Sequence, residues 1–186
     1  MDNKGARSVA VIIVIAIVAY VVYAGNISII GQKGEHRGNI GGKSWANISL
    51  QDVRTGLNIT IGQFENRTVV LESFSVWCPS CNKQQDEIRK LYNEIGDKFI
   101  TISINSDPNE NKLSVEDHLE RNGYNWYYVI SPIFLTRDLV EEFDIQIVNY
   151  LSNPIVLICE NGDYKMLENG LKSSESLKKS IERCGK

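Results

Sequence analysis

Apolar and polar positions change rhythm along this chain, and each change marks a new element. Residues 9–24 (VAVIIVIAIVAYVVYA) are apolar without a break, behind a heptad that carries Lys4 and Arg7. At 1.5 Å per residue this run spans roughly 24 Å, and residues 25–30 (GNISII) bring it to the ~30 Å of a hydrocarbon core. The pattern predicts an anchor over 8–25. Residues 1–7 stay cytoplasmic and the rest of the chain lies outside, because positive flanks are retained. A cleavable signal peptide is the competitor, with Val22 and Ala24 placed ahead of Gly25. An apolar run longer than the usual signal core favours an uncleaved segment. Over 26–45 no period is sustained and Gly31, Gly34, Gly38, Gly41 and Gly42 recur, which predicts a flexible linker with a reach of about 25 Å. His36 falls in it as a solvated residue.

From 46 to 186 the rhythm is that of a folded domain. Positions 48–50 and 57–61 alternate around a turn at 52–56, a hairpin signature. Residues 68–76 form a β-branched and aromatic run, read as a buried strand. A helix follows to Ile95, with Ile88, Leu91, Tyr92 and Ile95 on one face and Gly96 as its stop. Residues 99–104 (FITISI) are a second buried strand, and 105–111 (NSDPNEN) a loop. Ser114 and Asp117 have the spacing of a capping box for a short helix to Asn122. Residues 127–130 are strand-like, Pro132 breaks them, and 137–143 are helical. A hairpin over 154–159 and 164–167 and an amphipathic helix over 173–183 close the chain. Strands alternating with helices imply an α/β sandwich.

Composition narrows the function. A net charge of −3 and pI near 5.5 give no electrostatic footprint for nucleic acid. Two histidines leave little for a His-based metal site. Asn26, Asn47, Asn58 and Asn66 open N-x-S/T sequons, a weak sign of export. The four cysteines are few enough for a cytosolic protein and even enough for two pairs, so their count does not set the compartment.

The chemistry concentrates at 68–81, TVVLESFSVWCPSC. A strand ends in Trp77, and Cys78 and Cys81 lie two residues apart, the second inside a helix that Pro79 can open. At the N-cap, Cys78 faces free backbone N–H groups and the positive helix end, which stabilise its thiolate, the reactive form. Cys81, one turn on, can resolve a mixed disulfide. Trp77 would shield one side and offer an apolar docking surface. This is dithiol–disulfide chemistry, which uses no organic cofactor. Half of a zinc site and a buried structural pair are the other readings. The first needs two more ligands, and His36, His118, Cys159 and Cys184 are scattered and unpaired. A peroxidase would place Pro and Thr upstream of Cys78, where Ser75, Val76 and Trp77 stand.

The segment VVLESFSVWCPSC resembles the active-site segment of the thioredoxin superfamily, more closely that of membrane-anchored TlpA/ResA-type redoxins. ITISINSDPNE resembles the strand and loop that follow the first helix, and Asn153-Pro154 matches the family's proline. The resemblance spans about 48–181. It implies a thioredoxin-like fold, a central mixed sheet flanked by helices with an N-terminal β-hairpin. It implies Cys78 as nucleophile, Cys81 as resolving thiol and Pro154 as a cis-proline whose backbone neighbours pair with a substrate strand. Trp77, Pro79 and Asn153 would border the substrate, and Asn153 departs from the hydrophobic residue or Thr often found there. Glu72 shares a strand face with Val70 and Phe74. It is either a strand-edge residue reaching solvent or, by the resemblance, a buried acid that accepts the proton of Cys81. Cys159 and Cys184 either meet as a structural disulfide or stay free thiols. The implied partners are protein thiol or disulfide clients, a membrane electron-transfer partner and the bilayer. The other function class is a copper-binding chaperone on the same fold, with His118 as its one candidate ligand; otherwise His118 reads as a solvated surface residue.

Overall fold

The computed structural model describes residues 36–64 and 66–185. The expected cytoplasmic heptad, the anchor over 8–25 and the linker up to 35 lie outside the described residues. Among those described, no helix is long and apolar enough to cross a membrane.

The strands are β1 (Arg37–Asn39), β2 (Leu50–Gln51), β3 (Asn58–Ile59), β4 (Thr68–Phe74), β5 (Phe99–Asn105), β6 (Tyr127–Ile130), β7 (Ile155–Ile158) and β8 (Asp163–Met166). The helices are α1 (Pro79–Ile95), α2 (Lys112–Asn122), α3 (Ile133–Phe143) and α4 (Ser174–Glu182). Six strands form one mixed sheet in the order β1-β8-β7-β4-β5-β6, with β4, β5 and β6 parallel and β7 antiparallel to β4. β2 and β3 pair antiparallel beside it, the expected hairpin in shortened form. Buried Asp52 joins the two sheets: its Oδ1 accepts the Tyr128 N–H at 2.9 Å and its Oδ2 accepts the Thr55 N–H at 3.0 Å.

Central β4 is buried at every position, which is why Val69, Val70 and Leu71 run together rather than alternating with polar residues. Its odd positions, Val69 and Leu71, pack in a core with Ile102, Leu139 and Phe143. Its even positions, Val70 and Phe74, face a second core with Ile88 and Leu91 of α1 and Leu177 of α4. Glu72 belongs to this second face by the period of two.

Three local expectations are corrected. The linker does not extend to 45: β1 pairs with β8, and residues 44–47 form a 3-10 turn that buries Trp45. Gly38 lies so close over the Tyr164 ring that a Cβ would overlap it. An edge strand of three residues that borrows its pairing from β8 has no period of its own. His36 is half-buried rather than solvated; its ring stands edge-on to Phe143 at 6.5 Å and its carbonyl accepts the Met166 N–H. α2 starts at Lys112, not after Ser114. Asn111 is its N-cap and Ser114 its third residue, each side chain accepting the other's backbone N–H at 3.1 and 3.0 Å.

Candidate active site

β4, β5 and β6 are parallel, so their C-terminal ends share one edge of the sheet, and the loop leaving β4 opens there directly into α1. Cys78 is the N-cap of α1, and its Sγ accepts the Cys81 N–H at 3.2 Å. Pro79 occupies the first turn, where no N–H is lost. Cys78 and Cys81 are joined as a disulfide, Cα atoms 5.3 Å apart, and both residues are buried. Ser80 Oγ lies 3.2 Å from the Cys78 sulfur. Trp77 projects beside them, 57% exposed, a large apolar surface at the mouth of the dithiol.

Two carboxylates from the loop after β5 hold this approach. Glu110 accepts the Ser75 hydroxyl at 2.6 Å and the N–H groups of Val76 at 2.9 Å and Trp77 at 3.4 Å, together with the Asn105 amide. Asp107 accepts the Trp77 indole N–H at 2.6 Å. Partial burial pushes the Asp107 carboxyl up. The bonds from Trp77, Asn109 and Ser75 outweigh it, holding the acid below the usual carboxylate range. Neither acid stands out in NSDPNEN by pattern; only the fold brings that loop against the Trp77 segment.

Glu72 lies 1% exposed, on the face of β4 that α1 covers. Its Oε2 accepts the Ser103 hydroxyl at 2.9 Å, and Ser103 Oγ accepts the Trp126 indole N–H at 2.9 Å. Its Oε1 has no hydrogen-bond partner among the described residues. Burial raises this carboxyl to about 7, against the opposing pull of Ser103, Gln85 and the Lys172 charge. Of the two expectations for Glu72, the buried acid is the one the fold adopts.

Four further residues complete this buried layer. Gln84 and Gln85 follow Cys81 by three and four residues and are both 0% exposed, on the face of α1 that also carries Ile88 and Leu91. A 3.6 period through positions 81, 84, 85, 88 and 91 is the signal that could have revealed them. Gln85 Oε1 accepts from His118 Nε2 at 2.7 Å, while Asn122 Nδ2 lies 3.4 Å from Nδ1 of the same ring. His118 is therefore a buried residue 1% exposed, not a surface one, because α2 packs this side against α1. Burial lowers its pKa, and both ring nitrogens face amides rather than the dithiol. Lys172 is likewise buried, and its ammonium donates to the Asn153 carbonyl. Burial lowers it to about 8, with Glu72 pulling the other way. No periodic pattern marks Lys172 in the chain.

Pro154 sits where the resemblance implies, at the N-terminal end of β7, and its carbonyl accepts the Ser73 N–H at 3.2 Å. The bond before it is trans, since no peptide bond among the described residues is cis. The reversal is made instead by a 3-10 turn over Tyr150–Ser152 and by Asn153 in the left-handed region, φ 49°, which Asn tolerates better than a branched or bulky residue. Cys81 Sγ lies 3.5 Å from the Tyr150 carbonyl of this turn, so the proline segment borders the dithiol. Away from the site, Cys159 at the end of β7 and Cys184 after α4 form a disulfide, Cα atoms 5.2 Å apart. Among the described residues no group of three or more His, Cys, Asp or Glu side chains is placed to hold a metal ion.

The Redoxin family model matches residues 41–181, three quarters of the chain. This protein is a redoxin. The redoxin is 26% identical over 141 residues to a thiol-disulfide oxidoreductase ResA of Halalkalibacterium halodurans, covering 76% of this chain and 75% of that one. It is 22% identical over 183 residues to the ResA of Geobacillus kaustophilus, covering 95% and 92%. Among solved structures it shares its fold with StoA of Bacillus subtilis (TM-score 0.56, 21% identity, 71% of this chain and 93% of that one). A DsbF homologue of Corynebacterium diphtheriae superposes at TM-score 0.59 with 15% identity, over 82% and 95%. The redoxin thus has the thioredoxin-like α/β fold, with its cysteine pair at the helix start.

Proposed function

We propose that this redoxin is a thiol–disulfide oxidoreductase of the ResA and StoA kind, tethered to a membrane with its domain on the extracytoplasmic side. The observation that carries the chemistry is the Cys78–Cys81 pair at the N-terminus of α1, in a layer that also buries an acid on the adjoining strand face. In the reduced protein the Cys78 thiolate, stabilised by the helix end, attacks one sulfur of a client disulfide, and the other client sulfur leaves as a thiolate that takes up a proton. Glu72 accepts the Cys81 proton, directly or through a water, as Cys81 attacks Cys78 Sγ. The second client thiol departs, and two electrons have passed from the dithiol to the client disulfide. The reverse sequence oxidises a client dithiol. A membrane thiol donor or acceptor restores the starting state. Tethering is supported by the apolar run 9–24 behind Lys4 and Arg7, and export by the Cys159–Cys184 bridge, of a type that persists in oxidising compartments.

The test is equilibration of the full chain with glutathione buffers, with the Cys78–Cys81 state read by mass spectrometry. A potential near −270 mV identifies a reductant and one near −120 mV an oxidant, by the range known for this chemistry. A pair that stays unexchanged across all buffers overturns the proposal.

A further inference from the structure

Lys172 has no part in the dithiol chemistry described so far, yet it joins three components of the site. Its backbone is clasped by Gln84, one turn after Cys81 on α1: the Lys172 N–H donates to Gln84 Oε1 at 2.8 Å, and Gln84 Nε2 donates to the Lys172 carbonyl at 3.0 Å. Its side chain, in a residue 7% exposed, reaches the carbonyl of Asn153. Its charge also acts on buried Glu72.

The residue it grips is in an unusual conformation. Asn153 has φ 49° and ψ 62°, left-handed, directly before a proline, where extended backbone is the rule. Its side-chain Oδ1 does not help to hold the turn, having no hydrogen-bond partner among the described residues. What holds it is the N–H donating to Tyr150 at 2.9 Å and the carbonyl receiving the Lys172 ammonium. A charge-assisted bond to a buried carbonyl is among the stronger ones, and a buried ammonium without that acceptor is costly.

We infer that Lys172 is a positioning residue for extended disulfide-bearing peptides: a latch by which α1, through Gln84, fixes the Asn153–Pro154 turn against which such a peptide would lie. The inference rests on the oxidoreductase reading above. A small disulfide has no strand to lay beside that turn and does not depend on the latch.

The experiment compares dithiothreitol-driven reduction of insulin with that of hydroxyethyl disulfide by the full chain. Lys172→Met keeps the length and packing of the stem and removes the donor. It raises the KM for insulin about fivefold or more, whereas any change that follows from removing the charge near Glu72 is shared by both disulfides, so kcat/KM for insulin relative to hydroxyethyl disulfide falls about fivefold or more. Adding Asn153→Gly, which adopts the left-handed turn without steric strain, returns the insulin KM toward the wild-type value. An unchanged insulin KM in Lys172→Met, or an equal loss on both disulfides, overturns the latch and leaves Lys172 as a counter-charge to Glu72. A wild-type chain that reduces neither disulfide overturns the oxidoreductase reading and the latch with it.

Discussion

Replacing Glu72 by Gln removes a buried carboxyl and keeps its volume and its acceptor for Ser103. The carboxyl titrates at about 7 in the folded protein against 4.5 for the ordinary group, because burial disfavours its charged form. Between those values the folded state holds a proton that the unfolded chain has released, so stability falls as pH rises through this window. The penalty follows from the two pKa values: about 1 kcal/mol at pH 5, about 2 at pH 6 and about 3 by pH 7 to 8. Lys172 works in the opposite sense: its lowered value adds stability as pH rises above about 8, so the comparison belongs below that. Glu72→Gln should therefore be more stable than wild type by about 2 kcal/mol more at pH 7.5 than at pH 5. Urea unfolding with both disulfides intact reads this as a midpoint difference growing by roughly 1 M across the range. Its turnover relative to wild type should fall about 100-fold near pH 7.5, where the wild-type carboxyl can accept a proton, and the gap should close toward pH 5, where that carboxyl already holds one. Wild type and variant with parallel stability–pH curves would sink the buried-carboxylate account, and unchanged exchange rates would remove its catalytic role.

Cys81→Ser, with Cys78 left free, should accumulate a client-linked mixed disulfide that dithiothreitol releases, seen as a mass adduct on Cys78; Cys78→Ser should form none. Opening the Cys159–Cys184 bridge, which closes a separation of 25 residues, should lower stability by about 3–4 kcal/mol in non-reducing melts, on the loop-entropy account. Gly38→Ala should push the Tyr164 ring aside and loosen β1, giving faster amide exchange at Ile40 and Met166 while exchange in β4 stays slow.

The dithiol was legible because its determinants are local. A buried strand, an N-cap position, a proline at the first turn and a cysteine one turn later all fall within one short segment. The core face of α4, marked by Leu177 and Ile181 with Cys184 just beyond its end, was legible from helical period. The period alone left open whether Cys159 met Cys184. His118 was misread because a His among Glu116, Asp117 and Glu120 looks solvated until α2 is packed on Gln85. The trans Asn153–Pro154 bond was not legible because a left-handed residue before proline runs against the local preference for extended backbone, and surrounding contacts hold it there.

What the sequence determined by itself is what near neighbours along the chain decide: the order of strands and helices from β2 onward, Cys78 at the start of α1, the stop glycines Gly96 and Gly123, the Cys78–Cys81 chemistry and the apolar run 9–24. Only the tertiary structure decided that Glu72 is a proton-holding acid, that Glu110 and Asp107 grip the Trp77 segment, and that Lys172 reaches Asn153. Gln84 and Lys172 are separated by 88 residues, and no periodicity links positions so far apart. Burial and pairing of charge depend on what packs above and below a side chain, and that is set when the sheet and helices close on each other.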